Sequence, residues 1–251
     1  MYKLHIKFIG YPSVQDIVLS ANVAAAAAAG SLPSYGVPLP CSDNVFGGGE
    51  VLFARASAAI RQYGLCVLTP VWDSTAKTFT QNMSECPNTA NLGRAVYVAQ
   101  GTGAMAAGDY GWFMRSGCIP INGTATVAVD TTFGIAAAGQ VGANTAGKQI
   151  LNARVVGAAT LTVVKSGIGA SGDNLIYVND TDGWFVGGYL SGTGVGASTI
   201  ITALDPLGKW ARVSVANSAA VAGTVTQTNN NATIFWNIAH IDRPFAQGAI
   251  T

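Results

Sequence analysis

The chain has 251 residues, enough for one large β domain or two small ones with a real core. Only 10% of the residues are charged, against roughly 25% in an ordinary soluble domain, while the hydrophobic fraction of 49% is normal. Thirteen basic and twelve acidic residues leave a formal charge of +1 with no run of either sign, which argues against a nucleic-acid binder and its basic stripe.

Gly, Thr, Ser and Asn replace the missing charge. Such a surface repels neighbours poorly and suits a protein largely covered by other subunits. At the N-terminus, Lys3 and Lys7 precede apolar residues, but Tyr11-Pro12-Ser13 and Gln15-Asp16 interrupt the apolar stretch that a signal peptide needs. No segment reaches the roughly 20 uninterrupted apolar residues of a membrane helix. We expect a soluble chain with no membrane partner.

Residues 1–47 read as an arm. Lys3 to Ile9 suggests a short strand and Ala24 to Ala29 about two helical turns. Ser31 to Pro40 carries Pro33, Pro38 and Pro40, which exclude helix, interrupt any ladder and demand an extended path. Gly47-Gly48-Gly49 marks the start of the compact part. There Val51 to Ala58 and Arg61 to Thr69 read as a hairpin, with a helix through Val51 to Tyr63 as the alternative. Leu92 to Gln100, Tyr110 to Ile121 and Thr124 to Val129 follow as strands bounded by Gly, Asn or Pro. Many short strands with Gly-rich turns and no long 3.6-residue period predict an all-β chain, a sandwich-like or barrel-like core.

Residues 156–230 change in character, being rich in Thr, Val and Gly with few long side chains. Leu175 to Val178, Phe185 to Leu190, Thr199 to Leu204 and Ala211 to Val215 read as strands, and Asn179 to Gly183 as a turn. Bulky residues return at Thr233 to Ile241. The reading is a core over 48–155, completed by 231–251, with an inserted β lobe over 156–230.

No stretch of the sequence completes a catalytic or metal-binding motif. Gly101-Thr102-Gly103-Ala104-Met105-Ala106 fits the G-x-G-x-x-A dinucleotide fingerprint, but Gly108-Asp109-Tyr110-Gly111 breaks the helix it requires. Gly192-Thr193-Gly194-Val195-Gly196 lacks the Gly-Lys-Ser/Thr ending of a P-loop. Asp173, Asn179, Asp180 and Asp182 miss the EF-hand spacing and read as a solvated turn. His240, beside Asp242, reads as a satisfied structural histidine. Glu50 and Glu85 are the only glutamates and nothing pairs them. Cys41, Cys66, Cys86 and Cys118 form no CxxC pair, which predicts free, partly buried thiols and no zinc site. The expectation is a non-enzymatic chain with no catalytic residues, no cofactor and no metal.

The aromatic residues divide by context. Tyr110, Trp112, Phe235 and Trp236 are assigned to the core or to subunit contacts. Trp184, Tyr189 and Trp210 are the expected exposed aromatics of the lobe, which offers few large residues to pack on.

Two segments resemble virion proteins. Leu92-Gly93-Arg94-Ala95, then Ala106-Ala107-Gly108-Asp109-Tyr110-Gly111-Trp112-Phe113 and Gly117, resemble a family of small phage capsid decoration (cement) proteins. The resemblance extends over roughly 48–155, with Val51 to Pro70 before the anchor and Thr124 to Arg154 after it. Val186 to Val195, Thr199 to Asp205 and Ala222-Gly223-Thr224-Val225 look like a β-module recurrent in phage head and tail proteins, over about 172–226. The resemblance implies a homotrimer at capsid three-fold positions, bound to the major capsid protein on the outside of the virion and made in the host cytoplasm. The inserted lobe and the long arm depart from the family's usual shorter form. The alternative is a fibre-type module that binds host glycans through Trp184, Tyr189 or Trp210.

Overall fold

The computed structural model describes residues 18–22, 25, 36–43, 45–74, 77–101, 103–157, 160–231 and 235–248. The strand expected at Lys3 to Ile9, nearly all of the alanine run and Pro33 lie outside the described residues. The chain is almost entirely β. Its strands are β1 (Leu39–Asp43), β2 (Gly47–Ala56), β3 (Leu65–Asp73), β4 (Thr78–Glu85), β5 (Leu92–Ala99), β6 (Tyr110–Gly123), β7 (Phe133–Ala137), β8 (Gln140–Ala143) and β9 (Ile150–Val155). They continue as β10 (Thr162–Gly169), β11 (Leu175–Val178), β12 (Tyr189–Gly192), β13 (Thr199–Leu204), β14 (Trp210–Val213), β15 (Val221–Thr228) and β16 (Phe235–Gly248).

Two bodies of strands result. A ten-stranded sheet runs β1-β2-β4-β3-β5-β16-β6-β8-β7, with β9 on β16. The further pairings β2–β6 and β5–β6 complete a circuit through β2, β4, β3, β5 and β6, so this part of the sheet curls on itself. That curl explains the apolar runs. Leu52, Ala54, Cys66, Met83, Tyr97, Ala99 and Phe113 fill its inside, while the alternate residues Val51, Phe53, Leu65, Val67, Val96, Val98, Trp112 and Met114 pack on its other face. Strands buried on both faces lose the polar alternation that makes a strand easy to read.

The second body is a closed six-stranded barrel, β10-β11-β14-β13-β12-β15, which lies in the chain between β9 and β16. Small residues suit it: Gly167 fits only because a Cβ there would meet Val225 and Ile176 side chains at 2.7 and 3.0 Å. Ile176, Trp184, Val186, Leu190, Ile201, Val213, Val221 and Val225 make its core.

Several expectations are corrected. Val51 to Ala58 and Arg61 to Thr69 do not pair as a hairpin, nor form a helix: β2 pairs with β1, β4 and β6, and β3 with β4 and β5. The connection instead crosses the sheet end, where Ile60 bridges Met105 and Tyr63 takes a left-handed φ of 53°. Thr124 to Val129 is a loop, because the Asn237 carboxamide takes over its backbone, accepting from Val127 N–H (2.8 Å) and donating to Ala125 C=O (3.0 Å). Phe185 to Gly188 is also irregular, the strand starting at Tyr189. Pro40 lies within β1, the edge strand, where a sheet tolerates proline; part of the stretch read as an arm therefore belongs to the sheet.

Candidate interaction surfaces

Trp112 is fully buried and meets the Phe53 ring edge-on at 5.0 Å, and Tyr110 stacks on Phe53 at 6.0 Å. Gly111 between them is required by closeness: a Cβ there would sit 2.7 Å from Met105 Sδ. Met105 itself belongs to an irregular segment that bridges Ile60, and no helix follows Gly101 among the described residues. Trp236 is buried and Phe235 half-buried at the start of β16.

Trp184 corrects the expectation of an exposed lobe aromatic. It is 0% exposed and plugs the barrel, its indole N–H 3.5 Å from Val163 C=O. Closure of six short strands into a ring gave it the packing partners that the small-residue composition concealed. Tyr189 and Trp210 are half-buried. The exposed aromatic of the lobe is Tyr177, missed because Leu175-Ile176-Tyr177-Val178 reads as a uniformly apolar strand.

Register places Tyr177 in a row. Ile168 of β10 lies opposite Tyr177 of β11, and Tyr177 opposite Trp210 of β14, so the three share the barrel's outer face. Ile168 is 69% and Tyr177 50% exposed. A recess of about 160 Å³ beside them is lined by Ser166, Ile168, Tyr177, Val178 and Asn179.

A second apolar surface lies on the sheet. β3 and β4 pair from Cys66–Glu85 to Asp73–Thr78, but β5 reaches β3 only as far as Val67 and β2 reaches β4 only at Asn82 and Met83. Beyond those points the two strands pair only with each other among the described residues. This projecting ribbon holds Trp72 (50% exposed) opposite Phe79 (60% exposed), their rings 5.1 Å apart, with Val71 also exposed. Arg94 fastens its base, Nη2 donating to Leu68 C=O at 2.6 Å and to Thr69 Oγ1 at 2.9 Å. Nothing in the residue pattern signals β4, whose Thr78-Phe79-Thr80-Gln81-Asn82 is mostly polar.

Sheet and barrel are joined by directed bonds. Tyr63 OH donates to Val186 C=O (2.6 Å) and Trp236 Nε1 to Gly187 C=O (2.7 Å), the two rings meeting edge-on at 5.3 Å. The buried Asn229 ties both crossings, accepting from Leu161 N–H (2.7 Å) and donating to Trp236 C=O (2.8 Å). Beside this joint is a cavity of about 300 Å³.

The titratable groups are dispersed. Cys66, Cys86 and Cys118 carry free thiols. Burial pushes the Cys86 thiol up to about 12 and raises Cys66 well above its ordinary value, with Glu85 adding to the rise at Cys66. Half-buried Cys118 is raised by burial too. The Lys165 ammonium, bonded to Asp180, holds that carboxyl below its usual range. His240 lies in a strand as read, exposed on β16 between Cys118 of β6 and Arg154 of β9. Among the described residues no three His, Cys, Asp or Glu side chains gather as metal ligands. Comparisons with protein-family models, with curated proteins and with solved structures find no match for this chain.

Proposed function

We propose that the chain is a structural, non-enzymatic virion protein that binds the outside of a phage capsid and bridges neighbouring capsomers. The observation that carries this reading is the β3–β4 ribbon, which offers Val71, Trp72 and Phe79 to solvent on two strands whose outer edges pair with no other strand among the described residues. A large exposed apolar group at a free strand edge fits contact with another chain, through side-chain burial and added backbone pairing. The low charge of the surface supports close approach of subunits. The resemblance of residues 48–155 to capsid cement proteins names the partner, the major capsid protein, and a homotrimer at three-fold positions. Several weak contacts to one lattice then add up to slow dissociation.

Co-sedimentation with capsid shells tests this. Wild-type chain pellets with shells, and the double variant Trp72→Ser/Phe79→Ser stays in the supernatant. Equal pelleting of both would remove the ribbon from the account.

A second reading is a module that binds host glycans through the lobe. The row Ile168–Tyr177–Trp210 favours it, since sugar rings stack on exposed aromatic faces and Ser166 and Asn179 supply polar groups beside them. On a glycan array, binding lost in Tyr177→Ala and Trp210→Ala supports this reading; no binding by the wild type discards it.

A further inference from the structure

β10, β11 and β14 alternate between inward and outward side chains, and of their outward positions only Arg212 is charged. Arg212 follows Trp210 by two residues on β14 and lies opposite Leu175 of β11. It therefore shares the outer face of Trp210 and stands diagonally across from Tyr177. Diagonal neighbours on a sheet are about 7–8 Å apart, within reach of an arginine side chain.

The Arg212 guanidinium is exposed and forms no ion pair or hydrogen bond among the described residues. Two acids of the adjoining turns are engaged elsewhere, Asp180 with Lys165 and Asp173 with the Asn174 N–H at 2.7 Å. Lys209 donates to Asn179 C=O at 2.7 Å and so brings a second positive charge beside the recess. The Ser166 hydroxyl and the Asn179 carboxamide, which line that recess, make no hydrogen bond among the described residues.

These features limit what the face can hold. A closed barrel has no open strand edge, so an added peptide strand finds no backbone partners here. The recess, about 160 Å³, is smaller than the pockets that enclose small molecules. A ligand must lie on the exposed row and send one substituent into the recess. A sugar ring does so, with its C–H face on Tyr177 and hydroxyls at Ser166 and Asn179.

We infer that this face binds an acidic glycan, a uronic- or sialic-acid residue whose carboxylate is held by Arg212. The inference rests on the glycan reading of the lobe and adds the charge of the ligand. A guanidinium gives a carboxylate two parallel hydrogen bonds, and Lys209 adds to the positive potential around it. A neutral sugar keeps the stacking but leaves Arg212 without a partner.

The test is a glycan array that prints neutral glycans beside the same glycans extended by a uronic or sialic acid, or by sulfate, probed with the full-length protein. Wild type labels the carboxylated members and not their neutral parents, and Tyr177→Ala loses the signal. Arg212→Gln keeps the wild-type melting temperature. It binds the best carboxylated glycan about tenfold more weakly by calorimetry, the scale of one charge-assisted contact, and Arg212→Lys recovers part of the loss. Equal labelling of neutral and carboxylated members, or unchanged affinity in Arg212→Gln, overturns the acidic ligand and leaves a neutral glycan module standing. Labelling of sulfated members alone overturns the carboxylate. Carboxylate binding that survives Tyr177→Ala overturns the site. No labelling by the wild type overturns both this inference and the glycan reading.

Discussion

Tyr63 concentrates several demands in one side chain. Its backbone sits at φ 53°, a conformation that costs a tyrosine roughly 1 kcal/mol or more. The cost is offset because this conformation aims the ring at Trp236 and the hydroxyl at Val186 C=O. Tyr63→Phe leaves that carbonyl buried and unpaired, so we expect a loss of about 1–3 kcal/mol by urea denaturation. A loss below about 0.5 kcal/mol would mean that the hydroxyl does not hold the joint.

The thiols set a pH limit. In the unfolded chain a cysteine ionises near its ordinary value of 9, whereas folded Cys86 keeps its proton to about 12. Between those values the unfolded state holds fewer protons, so stability falls as pH rises. The full stability is present below pH 9; above it, the loss is about 1.4 kcal/mol per pH unit for each such thiol. Thermal melting at pH 8 and pH 10.5 checks this, and Cys86→Ser flattens the difference. Iodoacetamide at pH 8 is expected to reach half-buried Cys118 first and to spare Cys41, Cys66 and Cys86.

At the scale of elements, the ribbon is where stability and binding separate. A cross-strand aromatic pair contributes roughly 0.2–1 kcal/mol, and neither Trp72 nor Phe79 belongs to a core cluster. Trp72→Ser/Phe79→Ser therefore lowers stability by less than about 1 kcal/mol, even as it removes the proposed capsid contact. A global loss of β circular dichroism in the variant would contradict this.

The same scale shows what was legible. Leu175 to Val178 and Thr199 to Leu204 coincide with β11 and β13, because each is a short apolar or β-branched run closed by a turn. Tyr110 to Ile121 was legible as one long strand, and β6 runs two residues further, to Gly123. The pairing of β2 was not, since Val51-Leu52-Phe53-Ala54 is buried on both faces and carries no sign of which strand lies on either side. β4 escaped notice because polar residues fill most of it, and β7 because it is short, with Phe133 and Ile135 set among Gly and Ala. Of the seven aromatics singled out, Trp112 and Trp236 lie in the core as expected, while Trp184 does not face solvent. Ring closure is a long-range property, and composition alone gave Trp184 no visible partners.

At the scale of the whole molecule, the barrel is a closed circuit with its own core, placed between strands β9 and β16 that pair with each other. Val156 and Gly157 N–H both donate to Ile238 C=O, so the two crossings start side by side. We expect residues 160–230 to fold alone, giving dispersed amide signals and a cooperative melt. Replacing 158–231 by a short turn is expected to leave the sheet folded but less stable, because Tyr63 and Trp236 lose their acceptors. An excised barrel without cooperative unfolding would show that the two bodies form one folding unit.

The central claim is a position on a capsid. A sheet with an exposed apolar ribbon suits attachment, and a barrel with its own core suits projection into the medium. Electron microscopy of particles that carry the chain decides it most directly. The account predicts trimeric density on the outside of the capsid at three-fold or quasi-three-fold positions, with the β3–β4 ribbons against the shell and the barrels outward. Density confined to the tail would contradict it.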